Sequence, residues 1–530
     1  MRFAWSLFEA SFVQGKLAIR EKIGLLILCG AGVFMKILLL LTSQSAVDSD
    51  EAIVGLMALH IKQGISHPLF FYGQSYDAGA GVFAHAAALV FLVGGVSGVM
   101  LKAAALIVWF GAVLLTGYIL RKWIGWRAAG YGVALMLWAP TSVEWAMKAR
   151  GGYMLSVIFS LLTLAVALST RDISASARKR FTNALAIGMC GAAAIWAQPT
   201  SLPFVIVIVG WVAVEAVLER NFLFLGVMVV GTIIVSVVPL GFASTTNVSW
   251  SWQALAGEGG HRDPALLFRS VLPAFFTPNL DAAYPPTARW IRIVGVFWLI
   301  GVAGTCALAV RGHLRGTIPQ HLRRPSALLL ATIGVAPVAF FMVGSIYARP
   351  RHILVLYPVA CMVVSAVAEV WRQRTGRAWP LAFIVVLLVS GVAVHFGSLG
   401  PPMIHGAGEQ ERLQPAALIE QMIADLDRHR VQCVFSESPM MQWNLIFASK
   451  EQIAARWTAA QDRWPPYVDR VNRAFAAGKP CAVLIVNASR SDRIAGLRAN
   501  FGDKSDNLTV LSDRYALLYQ VPSNITQVFR

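Results

Sequence analysis

Long apolar stretches recur through the first four hundred residues of this 530-residue chain and then stop. A helix that crosses the hydrocarbon layer of a bilayer needs roughly 20 predominantly apolar residues. Windows near this length predict spans at residues 23–42, 102–120, 128–145, 153–169, 182–197, 201–218, 221–242, 291–310, 326–345, 352–370 and 380–398. The pattern therefore predicts a polytopic α-helical membrane protein with about eleven spans.

The pattern after Pro401 is that of an ordinary globular domain. Two stretches have helical periodicity, Ala416–Arg428 and Tyr467–Ala477. Four others look like strands: Cys433–Ser436, Ala482–Val486, Leu508–Leu511 and Ala516–Val521. The sequence thus predicts a membrane domain at 1–400 and a C-terminal α/β soluble domain at 401–530. Cys433 and Cys481 both fall at predicted strands, so a disulfide between them is open if this domain lies in an oxidising compartment.

The basic residues separate the apolar windows, although a net charge of +18 could also suggest a nucleic-acid partner. They do not gather into one basic domain, so we expect no nucleic acid partner. Lys and Arg accumulate in short cytoplasmic loops. The chain carries such loops at Arg121/Lys122/Arg127, Arg171/Arg178/Lys179/Arg180, Arg311/Arg315/Arg323/Arg324 and Arg372/Arg374/Arg377. The positions of these Lys and Arg residues therefore indicate which loops are cytoplasmic.

A twelfth apolar window, 79–99, decides which side these loops occupy. If it does not cross the bilayer, every basic loop falls on the side of the basic N-terminus, as expected for cytoplasmic loops. We therefore predict that 79–99 is a re-entrant or interfacial helix. Segments outside the cytoplasm are then 43–101, 142–152, 243–290, 346–351 and 401–530. The stretch Ile23–Thr42 is longer than a signal-peptide core of roughly 7 to 15 residues and is expected to be a retained signal anchor.

Three acids follow the first span directly, in the predicted external loop 43–101. Asp48, Asp50 and Glu51 could cap the helical stretch that comes next, or could carry catalytic work. An acceptor hydroxyl needs a carboxylate to remove its proton as it attacks. Asp50 is the best base candidate, with Glu51 or Asp48 as an orienting or second acid. No His or Cys cluster has zinc spacing, so no metal ligands are assigned, and a divalent metal is left open.

Several motifs resemble one known family. Asp50–Glu51, Gly55–Ala58 and Phe70–Tyr76 are similar to the first luminal loop of the protein-mannosyltransferase-like family of type-C (GT-C) membrane glycosyltransferases, which includes aminoarabinose transferases. Segments similar to further family motifs are Arg150–Tyr153, Arg351–Pro358 and Arg463–Tyr467. The chain departs from the family at His352, where an aromatic residue is commoner, and after Tyr76, where a glutamate of many bacterial members is missing.

The resemblance implies a GT-C fold and a bacterial inner membrane location. It also implies transfer of a sugar from a polyprenyl-phosphate donor to a glycan, lipid or protein acceptor. The leaving phosphate would need cationic donors, for which Arg150, Arg351 and Arg349 are the candidates, although an interfacial anchor would explain any one of them. Glu144 could be a second acid or simply pair with Lys148. The remaining substrate-binding candidates are Tyr72, Gln74, Tyr76 and Tyr153.

Two other classes of function compete with the transferase. A secondary transporter or flippase of a lipid-linked or small polar substrate would also have many spans with a few charges. It predicts internal repeats, which the sequence lacks, and midplane charges, whereas these acids lie at an external surface. A non-catalytic scaffold would not need about eleven spans. We therefore expect a transferase that acts with inversion, since one base and one leaving group suffice for a single displacement.

Overall fold

The computed structural model describes residues 19–42, 47–74, 77–170, 176–245, 267, 271–278, 280, 289–343, 350–376, 379–399, 416–458, 462–486, 508–512, 515–519 and 521. Each predicted span overlaps one α-helix, except the window 128–145, which overlaps two. The described helices up to Ser169 are α1 Ile19–Thr42, α2 Ser49–Gln63, α3 Gly79–Gly94, α4 Gly98–Trp123, α5 Trp126–Trp138, α6 Ser142–Trp145 and α7 Gly152–Ser169.

The remaining helices of the membrane part are α8 Ala177–Ala197, α9 Leu202–Leu218, α10 Phe222–Thr245, α11 Leu272–Phe275, α12 Arg289–Leu314, α13 Gln320–Val343, α14 Leu356–Thr375 and α15 Trp379–Gly397. Short 3₁₀ turns, Pro199–Ser201 and Pro350–Ile353, precede α9 and α14.

Lipid exposure explains the apolar composition. Many large apolar side chains remain exposed, for example Leu26 and Val93, as expected when the solvent is hydrocarbon. Five helical stretches within the described ranges are long and apolar enough to cross a membrane, namely Lys22–Thr42, Gly98–Trp123, Gly152–Ser169, Pro199–Leu218 and Arg289–Leu314. The polytopic helical fold class is confirmed, and the number of crossings stays a prediction.

One predicted span is interrupted. The window 128–145 was expected to be one helix, but α5 ends at Trp138 and the short helix α6 begins only at Ser142. Pro140 lies in the gap and has no N–H to continue the helical hydrogen bonds. The hydroxyl group of Thr141 instead donates to the carbonyl oxygen of Phe275, at 2.7 Å. The break places α6 across the end of the bundle and brings Glu144 to the candidate site.

Helix α3 packs alongside α2. It has 16 residues, fewer than the roughly 20 that a span requires. Its first residue, Gly79, packs against Gly152 at the start of α7. Near its other end, the carbonyl oxygen of Phe91 accepts a hydrogen bond from Lys62, at the end of α2. The structure therefore places α3 beside α2, and its position as a helix that does not cross the bilayer stays a prediction.

The C-terminal part contains a five-stranded sheet with helices. Its elements are α16 Ala416–Arg428, β1 Cys433–Ser436, α17 Met441–Ala448, β2 Ala454–Trp457, α18 Pro465–Ala476, β3 Cys481–Val486, β4 Leu508–Val510 and β5 Tyr515–Leu518. The strand order is β2-β1-β3-β5-β4, with β1 parallel to both neighbours and β5 antiparallel to both of its own. The predicted C-terminal α/β domain is confirmed.

Two elements of this domain were missed by the sequence analysis. Helix α17 has only eight residues and strand β2 only four. Both are defined by what they pack against, because β2 pairs with β1 and the ring of Phe447 in α17 covers Gly55 of α2. Cys433 and Cys481 face each other in register on β1 and β3 and form a disulfide.

Candidate active site

A capping box begins α2. The Asp48 carboxylate accepts a hydrogen bond from the backbone N–H of Glu51 at 2.9 Å, and the Glu51 carboxylate accepts from the backbone N–H of Asp48 at 3.0 Å. Such a reciprocal pair satisfies two N–H groups that the first turn of a helix would leave without partners. Capping, one of the two alternatives for these acids, is therefore present, but it involves only Asp48 and Glu51.

Glu51 is completely buried and forms an ion pair with a lysine. The Lys102 ammonium of α4 lies 2.9 Å and 3.1 Å from its two carboxylate oxygens. The backbone N–H of Ala149 donates to the same carboxylate at 2.7 Å. A buried charge is tolerated when it is paired and hydrogen-bonded in this way. With no exposed surface and all of these partners, Glu51 is suited to fixing α2 against α4, and contact with a substrate is not available to it.

Asp48 belongs to a chain of ion pairs that reaches α6. The Arg150 guanidinium donates to Asp48 from Nε at 3.1 Å and from Nη2 at 2.8 Å. Lys148 lies 3.1 Å from Asp48 and 2.5 Å from Glu144. All four side chains are buried. Glu144 and Lys148 thus form the simple pair that their spacing suggested, and this pair also extends the charge cluster towards the other acids.

Asp50 differs from its neighbours because its carboxylate is open. Its side chain is 34% exposed, whereas the side chains of Asp48 and Glu51 are 2% and 0% exposed. One of its oxygens lies 3.6 Å from Nη2 of Arg150, so Arg150 bridges the buried acid and the accessible one. A carboxylate that is both accessible and oriented by a guanidinium can accept a proton from a bound hydroxyl.

A fifth acid, Asp77, interacts electrostatically with Asp50. Its carboxylate accepts a hydrogen bond from the backbone N–H of Gly152 at 2.9 Å. Its φ of +60° is a backbone conformation that aspartate adopts more readily than most residues. Burial raises the pKa of Asp77 to about 7, and the negative charge of Asp50 adds to the rise, against a lowering contribution from Arg351. Asp77 therefore titrates near pH 7 and interacts electrostatically with both Asp50 and Arg351.

Arg351 approaches this site from the 3₁₀ turn before α14. Its guanidinium carbon lies 5.9 Å from the centre of the Tyr153 ring, a cation–π arrangement, and its backbone N–H donates to the carbonyl oxygen of Leu280 at 3.3 Å. Tyr153 in turn packs edge-on against Trp145 of α6, with ring centres 5.5 Å apart. The predicted residues Arg150, Tyr153 and Arg351 thus lie near Asp50 and Asp77, with Arg150 and Tyr153 from one segment and Arg351 from another.

A buried cluster holds α6 in place beneath these charges. The ammonium of Lys36 in α1 donates to the hydroxyl and carbonyl oxygens of Ser142, at 2.7 Å and 2.6 Å, and lies 2.7 Å from Nε2 of His395 in α15. Lys36 and His395 have no exposed surface. The cluster connects three helices at the break that Pro140 creates, and it fixes the helix turn that carries Glu144.

Tyr72 lies at the opposite end of α2 and is buried. Its hydroxyl is 2.7 Å from Nδ1 of His60, and its ring stacks on Trp464 of the C-terminal domain with centres 4.3 Å apart. Nε2 of His60 lies 2.9 Å from the Glu451 carboxylate, to which the hydroxyl group of Tyr467 donates at 2.7 Å. This geometry gives Tyr72 a role in docking the C-terminal domain and does not support a direct contact with substrate.

The other predicted site residues are placed as follows. Gln74 is partly buried in the turn after Tyr72, where its backbone N–H donates to the carbonyl oxygen of Phe71. Tyr76 and Arg349 lie outside the described residues. Within the described ranges, no group of three His, Cys, Asp or Glu side chains is arranged to hold a metal ion.

The sequence analysis missed two members of the site, Lys102 and Asp77. Lys102 stands inside a predicted membrane span, and an ionisable residue at such a position is a functional-site candidate by default. The position of Lys102 in an apolar window could therefore have identified it from the sequence. Asp77 had no signal beyond its place after the aromatic loop, because its proximity to Asp50 depends on how α3 and α7 pack.

Comparisons with other proteins identify the fold. No protein-family model matches the sequence, and no curated protein matches it. The fold is similar to that of ArnT from Cupriavidus metallidurans in its crystal structure bound to undecaprenyl phosphate, with a TM-score of 0.64 and 13% identity over 94% of this chain and 98% of that chain. The apo structure of ArnT gives a TM-score of 0.60 at the same identity and coverage.

This likeness extends over almost the full length of both chains, so it includes the membrane bundle and the C-terminal α/β part together. At 13% identity it establishes architecture, while activity depends on the chemistry of the site. The GT-C-like architecture expected from the motifs is confirmed: this chain is an integral multi-pass membrane protein with the fold of ArnT.

Proposed function

We propose that this protein transfers a sugar from a polyprenyl-phosphate donor to an acceptor outside the cytoplasm, with inversion at the anomeric carbon. The observation that carries the proposal is the position of Asp50. It is the accessible carboxylate of an otherwise buried charge cluster, and it is oriented by the Arg150 guanidinium at 3.6 Å. A transporter would not require a cluster of this kind at one end of its bundle.

The reaction assigns different work to the two kinds of side chain. Asp50 removes the proton from the acceptor hydroxyl as its oxygen attacks the anomeric carbon. The bond from that carbon to the phosphate oxygen breaks at the same time, and the phosphate leaves with its electron pair. Arg351 and Arg150 stabilise the growing negative charge on the phosphate, because guanidinium groups bind phosphate oxygens in a bidentate manner. One displacement needs no covalent enzyme intermediate, so the configuration inverts.

The buried acids support this chemistry indirectly. Asp48 pairs with Arg150 and Lys148, and Glu51 pairs with Lys102. These ion pairs hold the cations in fixed positions, including the Arg150 guanidinium beside Asp50. Asp77 titrates near pH 7, and in its protonated form it adds no further negative charge near Asp50. It occupies the part of the loop where the family resemblance leads one to expect a glutamate.

The fold comparison supports the donor class. The similar structure of ArnT was solved with undecaprenyl phosphate bound, and that lipid is a polyprenyl phosphate. The same class of carrier, with a sugar on its phosphate, is our proposal for this chain. A hexose or pentose donor and a glycan, lipid or protein acceptor all fit the same displacement.

We also propose that the site and the C-terminal domain lie outside the cytoplasm, across the inner membrane of a bacterium. The basic loops lie at the ends of helices remote from Asp50, as the distribution of Lys and Arg in cytoplasmic loops requires. The disulfide between Cys433 and Cys481 supports the same orientation, because disulfides persist in oxidising compartments.

The direct test is turnover of radiolabelled polyprenyl-phosphate sugars by the purified protein and by its Asp50→Asn variant. The substitution keeps size and removes the base, so transfer should fall by about 10²-fold or more while the melting temperature stays unchanged. Asp469→Asn, which alters an exposed carboxylate in α18, is the matched control and should retain full turnover. An Asp50→Asn variant with more than about a tenth of normal turnover would exclude Asp50 as the general base.

A further inference from the structure

A second site lies at the other end of the helical bundle. The ends of α4, α12, α13 and α14 enclose a cavity of about 510 Å³. This volume falls within the range of roughly 300 to 1,000 Å³ that ligand pockets occupy. The cavity shares no residue with the cluster around Asp50, so the proposed transfer reaction does not account for it.

The helices that reach the cavity show where it lies. Helix α4 carries Lys102 at the candidate active site and Trp123 at the cavity. These residues are separated by roughly 30 Å along a helix that rises 1.5 Å per residue, which is also about the thickness of the hydrocarbon layer. Helix α14 likewise starts beside Arg351 and ends in the cavity wall at Thr375. The cavity therefore opens at the membrane face opposite to Asp50.

The lining of the cavity has two chemically distinct parts. Its walls are apolar and include Leu120, Leu168, Leu329 and Met362. Its rim carries three arginines, which are Arg311 and Arg315 from the end of α12 and Arg374 from the end of α14. An apolar chamber with a cationic mouth at a membrane face matches a molecule that has a hydrocarbon chain and an anionic head.

The three rim arginines differ from two nearby arginines at this end of the bundle. Arg324 pairs with Glu215, and Arg372 pairs with Glu369 at 2.7 Å. Within the described part of the chain, Arg311, Arg315 and Arg374 make no ion pair, and all three are exposed. Their charge is thus available to a ligand, whereas the charges of Arg324 and Arg372 are neutralised within the protein.

We propose that this cavity binds a membrane phospholipid with an anionic headgroup. The phosphate accepts hydrogen bonds from the rim arginines, and one acyl chain enters between α4, α13 and α14. A zwitterionic phospholipid would bring its ammonium group towards three guanidinium groups, and the like charges oppose its binding. Basic pockets between membrane helices recognise anionic headgroups by this combination of charge and apolar contact.

The test places the full-length protein in nanodiscs that contain equal amounts of phosphatidylglycerol and phosphatidylcholine with identical acyl chains. Native mass spectrometry after mild extraction counts the lipids that remain bound. We expect phosphatidylglycerol to be enriched by at least about tenfold, since each basic residue near the surface contributes about fivefold to the binding of an anionic lipid. The variant Arg311→Gln/Arg315→Gln/Arg374→Gln should lose this enrichment.

The matched control removes the same charge elsewhere at the same end of the bundle. Arg178, Lys179 and Arg180 are exposed at the start of α8 and do not line the cavity. Their triple replacement by Gln should leave the enrichment intact. The Ala366→Phe variant, which fills the apolar chamber, should reduce retention of both lipids. Equal retention of the two lipids by the unaltered protein, or equal loss in the rim and control variants, would overturn the proposal.

Discussion

The two ends of the fifteen-residue helix α2 make different kinds of polar contact. At its N-terminal end, buried carboxylates pair with Lys102, Lys148 and Arg150, and Asp50 remains open beside them. At its C-terminal end, His60 connects to the C-terminal domain through neutral hydroxyl groups and a single carboxylate. Between the ends, α2 is apolar and buried.

The difference shows how a cluster of acids divides into separate roles. Asp48, Asp50 and Glu51 are almost consecutive, yet two of them are buried and fully paired while the third reaches solvent. Their positions around the helix decide this, because neighbouring residues in a helix point about 100° apart. The charged end therefore contains both a structural network and one residue available for chemistry, whereas the other end contains only a structural network.

The largest effect should follow from disrupting the buried pair at the charged end. Glu51→Gln leaves the Lys102 ammonium buried without its counter-charge, which should cost about 3 to 5 kcal/mol of unfolding free energy. Thermal unfolding in detergent would show a large drop in melting temperature. The double variant Glu51→Gln/Lys102→Met removes both charges and should recover most of the loss. A single variant as stable as the unaltered protein would show that this pair does not hold α2 in place.

Turnover, in contrast, should be sensitive to the shape of the cation as well as to its charge. Arg351→Lys keeps the charge and loses the planar fork that matches phosphate oxygens. Turnover of the lipid-linked donor should fall roughly tenfold to a hundredfold, as expected when a charged hydrogen bond worth about 1.5 to 3 kcal/mol is lost. Arg289→Lys, at the start of α12, is a control that should have no effect. Unchanged turnover in Arg351→Lys would make Arg351 an interfacial anchor.

The C-terminal end of α2 should respond more weakly. Burial raises the pKa of Glu451, but hydrogen bonds from His60 and Tyr467 prevail and hold it below the ordinary value of 4.5. Its ionised form thus stabilises the fold above about pH 4.5, and this contribution disappears as the pH falls through the lowered pKa. Glu451→Gln should weaken docking by about 1 kcal/mol at neutral pH.

Hydrogen exchange in α18 measures that docking. Amides of Pro465–Ala476 should exchange faster in Glu451→Gln than in the unaltered protein at pH 7, and the difference should shrink in acid. Amides of β1, remote from the junction, serve as the internal reference. Equal exchange at pH 7 would mean that Glu451 does not contribute to holding the two parts together.

The last effect is the pH dependence of stability at Asp77. Its pKa is about 7 in the folded protein against an ordinary value of 3.8, so the folded state binds more protons between these values and stability falls as the pH rises towards 7. Asp77→Asn keeps the hydrogen bond from Gly152 and removes the titration. The melting temperature of the variant should change less between pH 4 and about pH 8 than that of the unaltered protein. Parallel pH profiles would contradict the raised pKa.

Much of the architecture was determined by local pattern in the sequence. Apolar windows predicted the positions of the membrane helices, and short runs of strand-forming residues predicted β1 and β3 closely. The acids after the first span also pointed to Asp50 as a candidate base. These features are local, because the length of an apolar stretch and the residue types within it depend only on neighbouring residues.

The tertiary structure alone decided how the charges were distributed. Glu51 meets Lys102 and Ala149 across 51 and 98 positions of the chain. Asp77 interacts with Asp50 because the start of α3 packs against the start of α7. The ring of Tyr72 stacks on Trp464 of the C-terminal domain. Strand β2 and helix α17 likewise exist because β1 and α2 provide surfaces for them. The sequence supplies the charged groups, but burial and pairing depend on which helices pack together, and this separates the accessible Asp50 from the acids on either side of it.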